Sequence, residues 1–256
     1  PGLRDRRSLS LEGWGAGLRG ANTEVGEYML FIKFIILLII YYLLIYVIGR
    51  SFLKRKGIYL GNLILGIFSI GISILLIYLS PINFQQAGFQ TGNFKKGLFM
   101  LLISFILILG SLGSMRKMSL SDLMKIPYGS FQNNKIILLH VWLVVGPAEE
   151  LFYRGFIQGN LRFFLPGSIF SIEYATIIAT VLFVFAHLNN LFFGRESIKQ
   201  FIGLLPGRII MGSILGYTFQ ISNSLIYPII IHTLSDGLTL TYLIILKKRS
   251  LNNYHL

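Results

Sequence analysis

Two adjacent glutamates and an arginine lie inside an otherwise apolar stretch, in the segment Gly146-Pro-Ala-Glu149-Glu150-Leu-Phe-Tyr-Arg154. Charged side chains within a membrane are energetically expensive, so they indicate a functional site by default. On a helix at about 100° per residue, Glu150 and Arg154 share a face, whereas Glu149 points roughly a quarter-turn away. Pro147 predicts a kink just before the pair, because it cannot donate a backbone hydrogen bond. We expect Arg154 to neutralise Glu150 and to leave Glu149 free.

Two further polar pairs lie within apolar runs. Phe183 and His187 are four residues apart, and so are His232 and Asp236. This spacing places the members of each pair on one helix face. Together with Glu149, these residues come from three different apolar segments, and each needs a polar partner to tolerate burial. The sequence therefore predicts one polar cavity within the membrane.

These residue types suit hydrolysis. A free carboxylate beside two imidazoles and a second acid can activate water, stabilise an oxyanion and protonate a leaving amine, with no cofactor required. A divalent metal such as zinc is the alternative, with Glu149, His187 and His232 as ligands, although the His-Glu-x-x-His pattern is absent. Each group alone also fits a structural contact between helices. Their conjunction favours catalysis.

The elements that must position these residues are membrane spans. The 256 residues are 54% hydrophobic and 13% charged, and the apolar residues form long runs. Runs of about 20 residues suffice to cross a bilayer. They lie near 29–49, 60–80, 97–115, 136–160, 168–190, 198–218 and 224–246. The sixth is the weakest, because Pro206-Gly207-Arg208 could turn residues 191–207 into a re-entrant segment. The sequence predicts an all-α bundle of about seven spans, within a range of six to eight.

The chain divides into three parts by composition. Residues 29–246 form a single predicted transmembrane domain, with its catalytic core at about 136–240. Residues 1–28 are rich in glycine and arginine and lack lysine and isoleucine, so we expect an extension outside the fold, with Met29 as a plausible start. Residues 247–256 form a basic tail.

The basic residues that give the chain its net charge of +13 lie mainly in the loops. Lysine and arginine cluster in the loops at 50–59, 116–135 and 191–199 and in the tail, and the alternate loops carry few. This asymmetry predicts a cytoplasmic C-terminus by the positive-inside rule, and it argues against a nucleic-acid partner. The chain has no cysteine, which excludes disulfides, thiolate metal sites and a cysteine nucleophile.

The three motifs together resemble a known family. Glu149-Glu150-x-x-x-Arg154, Phe183-x-x-x-His187 and His232-x-x-x-Asp236 are similar, in order and in membrane context, to the motifs of the CAAX-protease and bacteriocin-processing (CPBP, or Abi) intramembrane proteases. This family includes the type II CAAX prenyl endopeptidases, which remove the last three residues of prenylated proteins. The resemblance covers about residues 136–240.

The resemblance implies a role for each acid. The family's first glutamate is the presumed general base, which corresponds to Glu149. Glu150 and Arg154 correspond to its supporting pair, and Phe183 to the aromatic residue of the second motif. Prenyl endopeptidases usually carry asparagine at the last motif position, where this chain has Asp236. The wider family accepts either residue, so membership stands but transfer of the CAAX substrate is weakened.

The histidines correspond to His187 and His232, which are expected to bind the water or the oxyanion. The implied protein is an intramembrane endopeptidase of a prokaryotic cell membrane, surrounded by membrane lipid. It would act on a membrane-associated or prenylated peptide. A non-enzymatic immunity or scaffold protein is the main alternative, and a transporter that uses the acids as a proton relay ranks third.

The remaining intramembrane polar and aromatic residues have structural interpretations. Arg208 in the sixth span is predicted to pair with Glu173 or Asp236 or to mark a water-exposed break. Tyr41 and Trp142 are predicted to face lipid or the aromatic belt.

Overall fold

The computed structural model describes residues 9–56, 58–126, 134–192 and 196–252. Seven of its helical segments are long and apolar enough to cross a membrane: Gly26–Ser51, Leu60–Leu79, Phe94–Met115, Lys135–Phe164, Tyr174–Phe192, Ile198–Ser222 and Ile226–Arg249. We number them spans one to seven. They confirm the polytopic all-α bundle and the span count predicted from the apolar runs.

Spans one and two belong to two long helices that pack against each other, α1 (Leu9–Lys56) and α2 (Ile58–Leu79). The backbone of α1 continues upstream of its apolar part into residues predicted to lie outside the fold. Residues 1–8 lie outside the described chain. The assignment of residues 1–28 to a non-core extension therefore stays a prediction.

Span three is α3 (Phe94–Met115), which begins at Asn93. The Asn93 side chain accepts a hydrogen bond of 3.1 Å from the backbone N–H of Lys96, which satisfies one of the free donors at the helix start. The short helix α4 (Leu120–Lys125) follows it.

Span four carries the two glutamates and changes helix type along its length. It consists of α5 (Asn134–His140), a π-helical segment π1 (Val141–Val145), α6 (Gly146–Glu150), a second π-helical segment π2 (Leu151–Gln158) and α7 (Gly159–Phe164). Pro147 is the second residue of α6, and the wide turns of π1 lie directly before it, where the sequence predicts a kink. The glutamates thus occupy a short α segment between two π segments, a helix type that is frequent at functional sites.

Span five is shorter than predicted at its start. Residues predicted to begin it form an antiparallel hairpin, β1 (Ser168–Ile169) and β2 (Ile172–Glu173), and helix α8 runs only from Tyr174 to Ala186. Thirteen residues rise about 20 Å, whereas the hydrocarbon core is about 30 Å thick. The chain then turns at His187 and continues as α9 (Leu188–Phe192). The turn at His187 therefore lies inside span five, which ends at Phe192.

Span six is one continuous helix, α10 (Ile198–Ser222), with Pro206 inside it. This continuous helix contradicts the predicted re-entrant alternative over residues 198–207, and residues 193–195 of that segment lie outside the described chain. Proline within a membrane helix is tolerated where neighbouring groups satisfy the freed carbonyl. Ser197 starts the helix with a capping box that includes Gln200, and span seven follows as α11 (Ile226–Asn252).

The main core lies where spans one, two, four and five meet, and it surrounds π2 with apolar side chains. Its buried members include Phe34, Ile77, Phe152, Phe156, Ala179 and Phe183. The ring of Tyr41 belongs to this core, because it stacks on Phe152 with 3.5 Å between centroids and its hydroxyl lies 2.7 Å from that of Ser69. The prediction that Tyr41 faces lipid is wrong.

The indole of Trp142 also lies between helices. Its Nε1 donates to the Thr241 hydroxyl at 3.1 Å, and a Cβ atom added to Gly237 would lie 2.5 Å from the indole ring. Glycine at 237 makes room for the indole on α11, so the lipid-facing prediction for Trp142 is wrong as well. The contact joins span four to span seven.

Candidate active site

The two glutamates of α6 occupy different environments. The Glu150 side chain is fully buried, whereas 36% of the Glu149 side chain is exposed. Gly146, one helical turn earlier, lies against α11, where an added Cβ atom would clash with the Thr233 side chain and lie 3.2 Å from the Ile229 carbonyl oxygen. Glycine at 146 therefore allows α6 to approach the helix that carries His232.

Glu150 is held by two partners at once. Its Oε1 lies 2.7 Å from Nδ1 of His232, and its Oε2 lies 3.2 Å from Nε of Arg154. An ionised carboxylate only accepts hydrogen bonds, so Nδ1 of His232 carries the hydrogen. The pairing of Glu150 with Arg154 agrees with the sequence expectation. The bond to His232 was not predicted, since it joins residues 82 positions apart.

Arg154 is fully buried, and its environment compensates the charge in three ways. Besides the Glu150 carboxylate, its Nη2 donates to the Gly212 carbonyl oxygen at 3.0 Å. Its guanidinium carbon lies 4.6 Å from the centroid of the Phe183 ring, within the range of a cation–π contact. Breaking a buried pair of this kind by removing one partner costs about 3–5 kcal/mol, because the other charge stays buried.

The second nitrogen of His232 faces two more acids. Nε2 lies 3.8 Å from Oε2 of Glu149 and 3.5 Å from Oδ2 of Asp236. The Asp236 side chain is 43% exposed and that of Glu149 is 36% exposed, whereas the imidazole is buried. The ring thus separates a closed side of the cluster, with Glu150 and Arg154, from an open side with Glu149 and Asp236.

His187 approaches this cluster through Phe183. The imidazole Nδ1 donates to the Phe183 carbonyl oxygen at 3.0 Å, since a carbonyl can only accept. The Phe183 ring stands edge-on to both histidines, with centroids 5.1 Å from His187 and 6.0 Å from His232. Across the described residues, no hydrogen bond or ion pair joins His187 directly to an acid or to the other imidazole.

The predicted site residues therefore differ in how closely they approach one another in the structure. Glu150, Arg154, His232, Glu149 and Asp236 are in direct contact or within 4 Å of a neighbour in the cluster. His187 stands beside them, oriented by its own helix.

A metal site is less well formed than the hydrolytic cluster. In the part of the chain that the structure describes, no group of three or more His, Cys, Asp or Glu side chains is arranged to hold a metal ion. The zinc ligands considered from sequence, Glu149, His187 and His232, thus do not form a pre-arranged ligand set.

Arg208 has a partner that the sequence did not indicate. Its Nη2 lies 2.6 Å from Oε1 of Glu196, and its guanidinium carbon lies 5.1 Å from the Phe201 ring centroid. Glu173 instead binds Arg162 through both oxygens, at 2.6 and 2.8 Å. The predicted pairing of Arg208 with Glu173 or Asp236 is wrong, although its structural role stands.

The seven spans and the buried charged cluster define an integral membrane protein with a polar site inside the helical bundle. Residues 131–238 match the family model described as "Type II CAAX prenyl endopeptidase Rce1-like". The match confirms the resemblance to the CPBP proteases over less than half of the chain, in the part that contains the three motifs. Neither a curated protein nor a solved structure matches the chain.

Proposed function

We propose that the protein is an intramembrane endopeptidase in which Glu149 activates the hydrolytic water. The observation that carries the proposal is the difference between the two glutamates that contact His232. Glu150 is buried and paired with Arg154, whereas the Glu149 side chain is partly exposed. A general base must reach a water molecule, and the half-exposed carboxylate of Glu149 can do so. Glu150 is closed off from water and is bound on both oxygens.

The reaction balances with the residues present. Glu149 removes a proton from water as the oxygen forms a bond to the peptide carbonyl carbon, which gives a tetrahedral oxyanion. The oxyanion collapses and the C–N bond breaks, and Glu149 returns its proton to the leaving amine. The products are one carboxylic acid and one amine, and the acid then transfers its proton to the amine.

His232 and His187 stabilise the tetrahedral intermediate. Because Nδ1 of His232 is bonded to Glu150, the ring donates through Nε2 only when it is protonated at both nitrogens. The Glu149 and Asp236 carboxylates face this nitrogen. Asp236 orients the ring or the water. A metal bound on the open side would polarise the carbonyl instead.

The substrate class is a membrane-associated peptide. The family model is described as a prenyl endopeptidase, so a prenylated C-terminus is one candidate. Asp236, in place of the asparagine usual in prenyl endopeptidases, leaves peptides without a lipid as candidates too. The site lies in spans four, five and seven, so the scissile bond must enter the membrane thickness or reach its edge.

The deciding experiment is a cleavage assay with purified protein. Prenylated and unprenylated peptides of one sequence are incubated with the parental protein and with Glu149→Gln, with and without a chelator, and products are read by mass spectrometry. We expect a cut by the parental protein alone. If both proteins leave every peptide intact but bind one of them, the scaffold function gains and the peptidase proposal fails.

The C-terminus and the loop at 50–59 lie on the cytoplasmic side. Both carry a cluster of basic residues, which cytoplasmic loops retain. Since the chain has no native cysteine, single cysteines at Ser51 and Ser250 report orientation directly. Both should resist impermeant labelling in intact cells, and ready labelling of both would reverse the orientation.

A further inference from the structure

Span four and α10 are joined by three hydrogen bonds that share one spacing. The donors on span four are Arg154, Gln158 and Arg162, and the acceptors on α10 are the backbone oxygens of Gly212, Gly216 and Gln220. Each bond is 3.0 Å long and joins residues 58 positions apart. Donors and acceptors both recur every four residues, so the two helices match turn for turn. We call this set the carbonyl ladder.

Small residues on α10 allow the close approach that the ladder needs. A Cβ atom added to Gly216 would lie 3.0 Å from the Thr180 hydroxyl and 3.5 Å from Oε1 of Gln158. One added to Gly212 would lie 3.0 Å from the Phe183 ring. Glycines four residues apart are typical of closely packed membrane helices. The close contact between span four and α10 therefore also includes α8, the helix that carries Phe183.

Gln158 makes the middle hydrogen bond of the carbonyl ladder, and each such bond is called a rung. Its side chain joins all three helices. Its side chain is fully buried, and its amide nitrogen donates both to the Gly216 oxygen and, at 2.8 Å, to the Thr176 hydroxyl of α8. No step of the proposed hydrolysis uses this buried amide. Its position links spans four, five and six at one height.

The hydrogen bond of Arg154 connects the carbonyl ladder to the candidate active site. Arg154 donates to the Gly212 oxygen with one nitrogen and lies against Glu150 with another, and Glu150 holds Nδ1 of His232. A shift of span four by one residue, about 1.5 Å along its axis, would break every rung together. The height of span four against α10 thus sets the height at which Glu150 meets Nδ1 of His232.

We propose that Gln158 is a positioning residue, which fixes the register of span four and acts on the reaction through Arg154, Glu150 and His232. The proposal rests on the proposed peptidase function for its kinetic part. A displacement of about 1 Å at a reacting group can lower a rate by about 100-fold. A residue that only joins helices would affect stability and leave turnover unchanged.

Asn160 supplies a matched control. It is a buried amide on the same span, two residues further along, and its Nδ2 donates to the Phe156 oxygen within its own helix. Gln158→Met and Asn160→Leu each remove a buried amide and keep similar volume. Only the first removes a rung.

The kinetic test measures kcat, KM and melting temperature for both variants. We expect similar melting temperatures, an unchanged KM and, for Gln158→Met alone, a kcat lower by about tenfold. A kcat for Gln158→Met within twofold of that for Asn160→Leu would overturn the proposal. If Gln158→Met does not accumulate, Thr176→Val, which removes one acceptor of the amide, takes its place. Its kcat should fall about threefold, and an unchanged kcat would overturn the proposal in the same way.

A readout that needs no turnover separates this proposal from the proposed function. ¹⁵N-labelled histidine in bilayer samples reports the protonation and hydrogen bonding of His232, assigned by a His232→Gln sample. The signals should move or split in Gln158→Met and stay in place in Asn160→Leu. Unchanged signals in both would refute the positioning role. If the parental protein cleaves no peptide while the signals still move in Gln158→Met, the peptidase function fails and the carbonyl ladder stands.

Discussion

The two nitrogens of His232 face opposite conditions. On the Nδ1 side, Glu150 and Arg154 are fully buried and in contact with each other. On the Nε2 side, Glu149 and Asp236 lie 3.8 and 3.5 Å away with more than a third of each side chain exposed. One imidazole thus separates a closed ion pair from an open pair of acids.

This difference shows that two neighbouring glutamates of the same chemistry can serve different purposes. Removing either partner from a buried pair leaves a charge without compensation, so the closed side supports structure. On the open side, more than a third of each carboxylate side chain is exposed. The comparison predicts loss of rate from changes on the open side and loss of stability from changes on the closed side.

Glu149→Gln should have the largest effect on the reaction. Amide in place of carboxylate removes the base, and general-base catalysis contributes typically about 10²- to 10⁴-fold. Single-turnover cleavage should fall by that factor, while the melting temperature and substrate binding stay near the parental values. Cleavage at the parental rate would assign the base to another residue.

Glu150→Gln should instead lower stability. It leaves the buried guanidinium of Arg154 without its carboxylate, which costs about 3–5 kcal/mol. Melting temperature and yield should both fall, and activity should fall with them. Glu173→Gln is the matched control, because its pair with Arg162 is partly exposed and pairs near the surface contribute about 0–1 kcal/mol. A fully stable but inactive Glu150→Gln protein would show that the closed side takes part in the chemistry.

Phe183→Leu tests whether the two sides communicate. The ring touches Arg154 on the closed side and stands beside both imidazoles, so its loss removes a cation–π contact of about 2 kcal/mol at a desolvated site. We expect both a lower melting temperature and a lower kcat. Phe185→Leu on the exposed face of α8 should change neither. Equal effects of the two substitutions would remove the special role of the Phe183 ring.

Asp236→Asn should have the smallest effect. Asparagine keeps an oxygen acceptor, and one neutral hydrogen bond differs from the charged one by about 1 kcal/mol, so activity should stay within about tenfold. His232→Ala should be inactive in the same cleavage assay. If Asp236→Asn is as inactive as His232→Ala, the negative charge itself is needed and a metal ligand becomes the better assignment.

Much of the fold could be predicted from the sequence. Long apolar runs located all seven spans, and the helical spacing of Glu150 with Arg154 identified one ion pair. The predictions that failed each concern one short segment. The hairpin at 168–173 shortened span five, and Pro206 did not interrupt α10, because nearby packing and not composition decides such cases.

The site was only half predictable. Contacts at four-residue spacing on one helix, such as that of Phe183 with His187, follow from helix geometry. Contacts between distant segments, such as Glu150 with His232 or Arg208 with Glu196, have no local signal. The same holds for the carbonyl ladder, whose constant spacing of 58 residues appears only when two helices lie side by side.

The sequence by itself determined a seven-span helical protein, the positions of the intramembrane polar residues and the family that those motifs resemble. These depend on hydrophobicity and helix periodicity, which are local properties. Only the tertiary structure decided which face of His232 is closed and which is open. That division depends on how closely α6, α8, α10 and α11 approach one another, and glycines such as Gly146 and Gly212 permit the approach only where another helix lies against them.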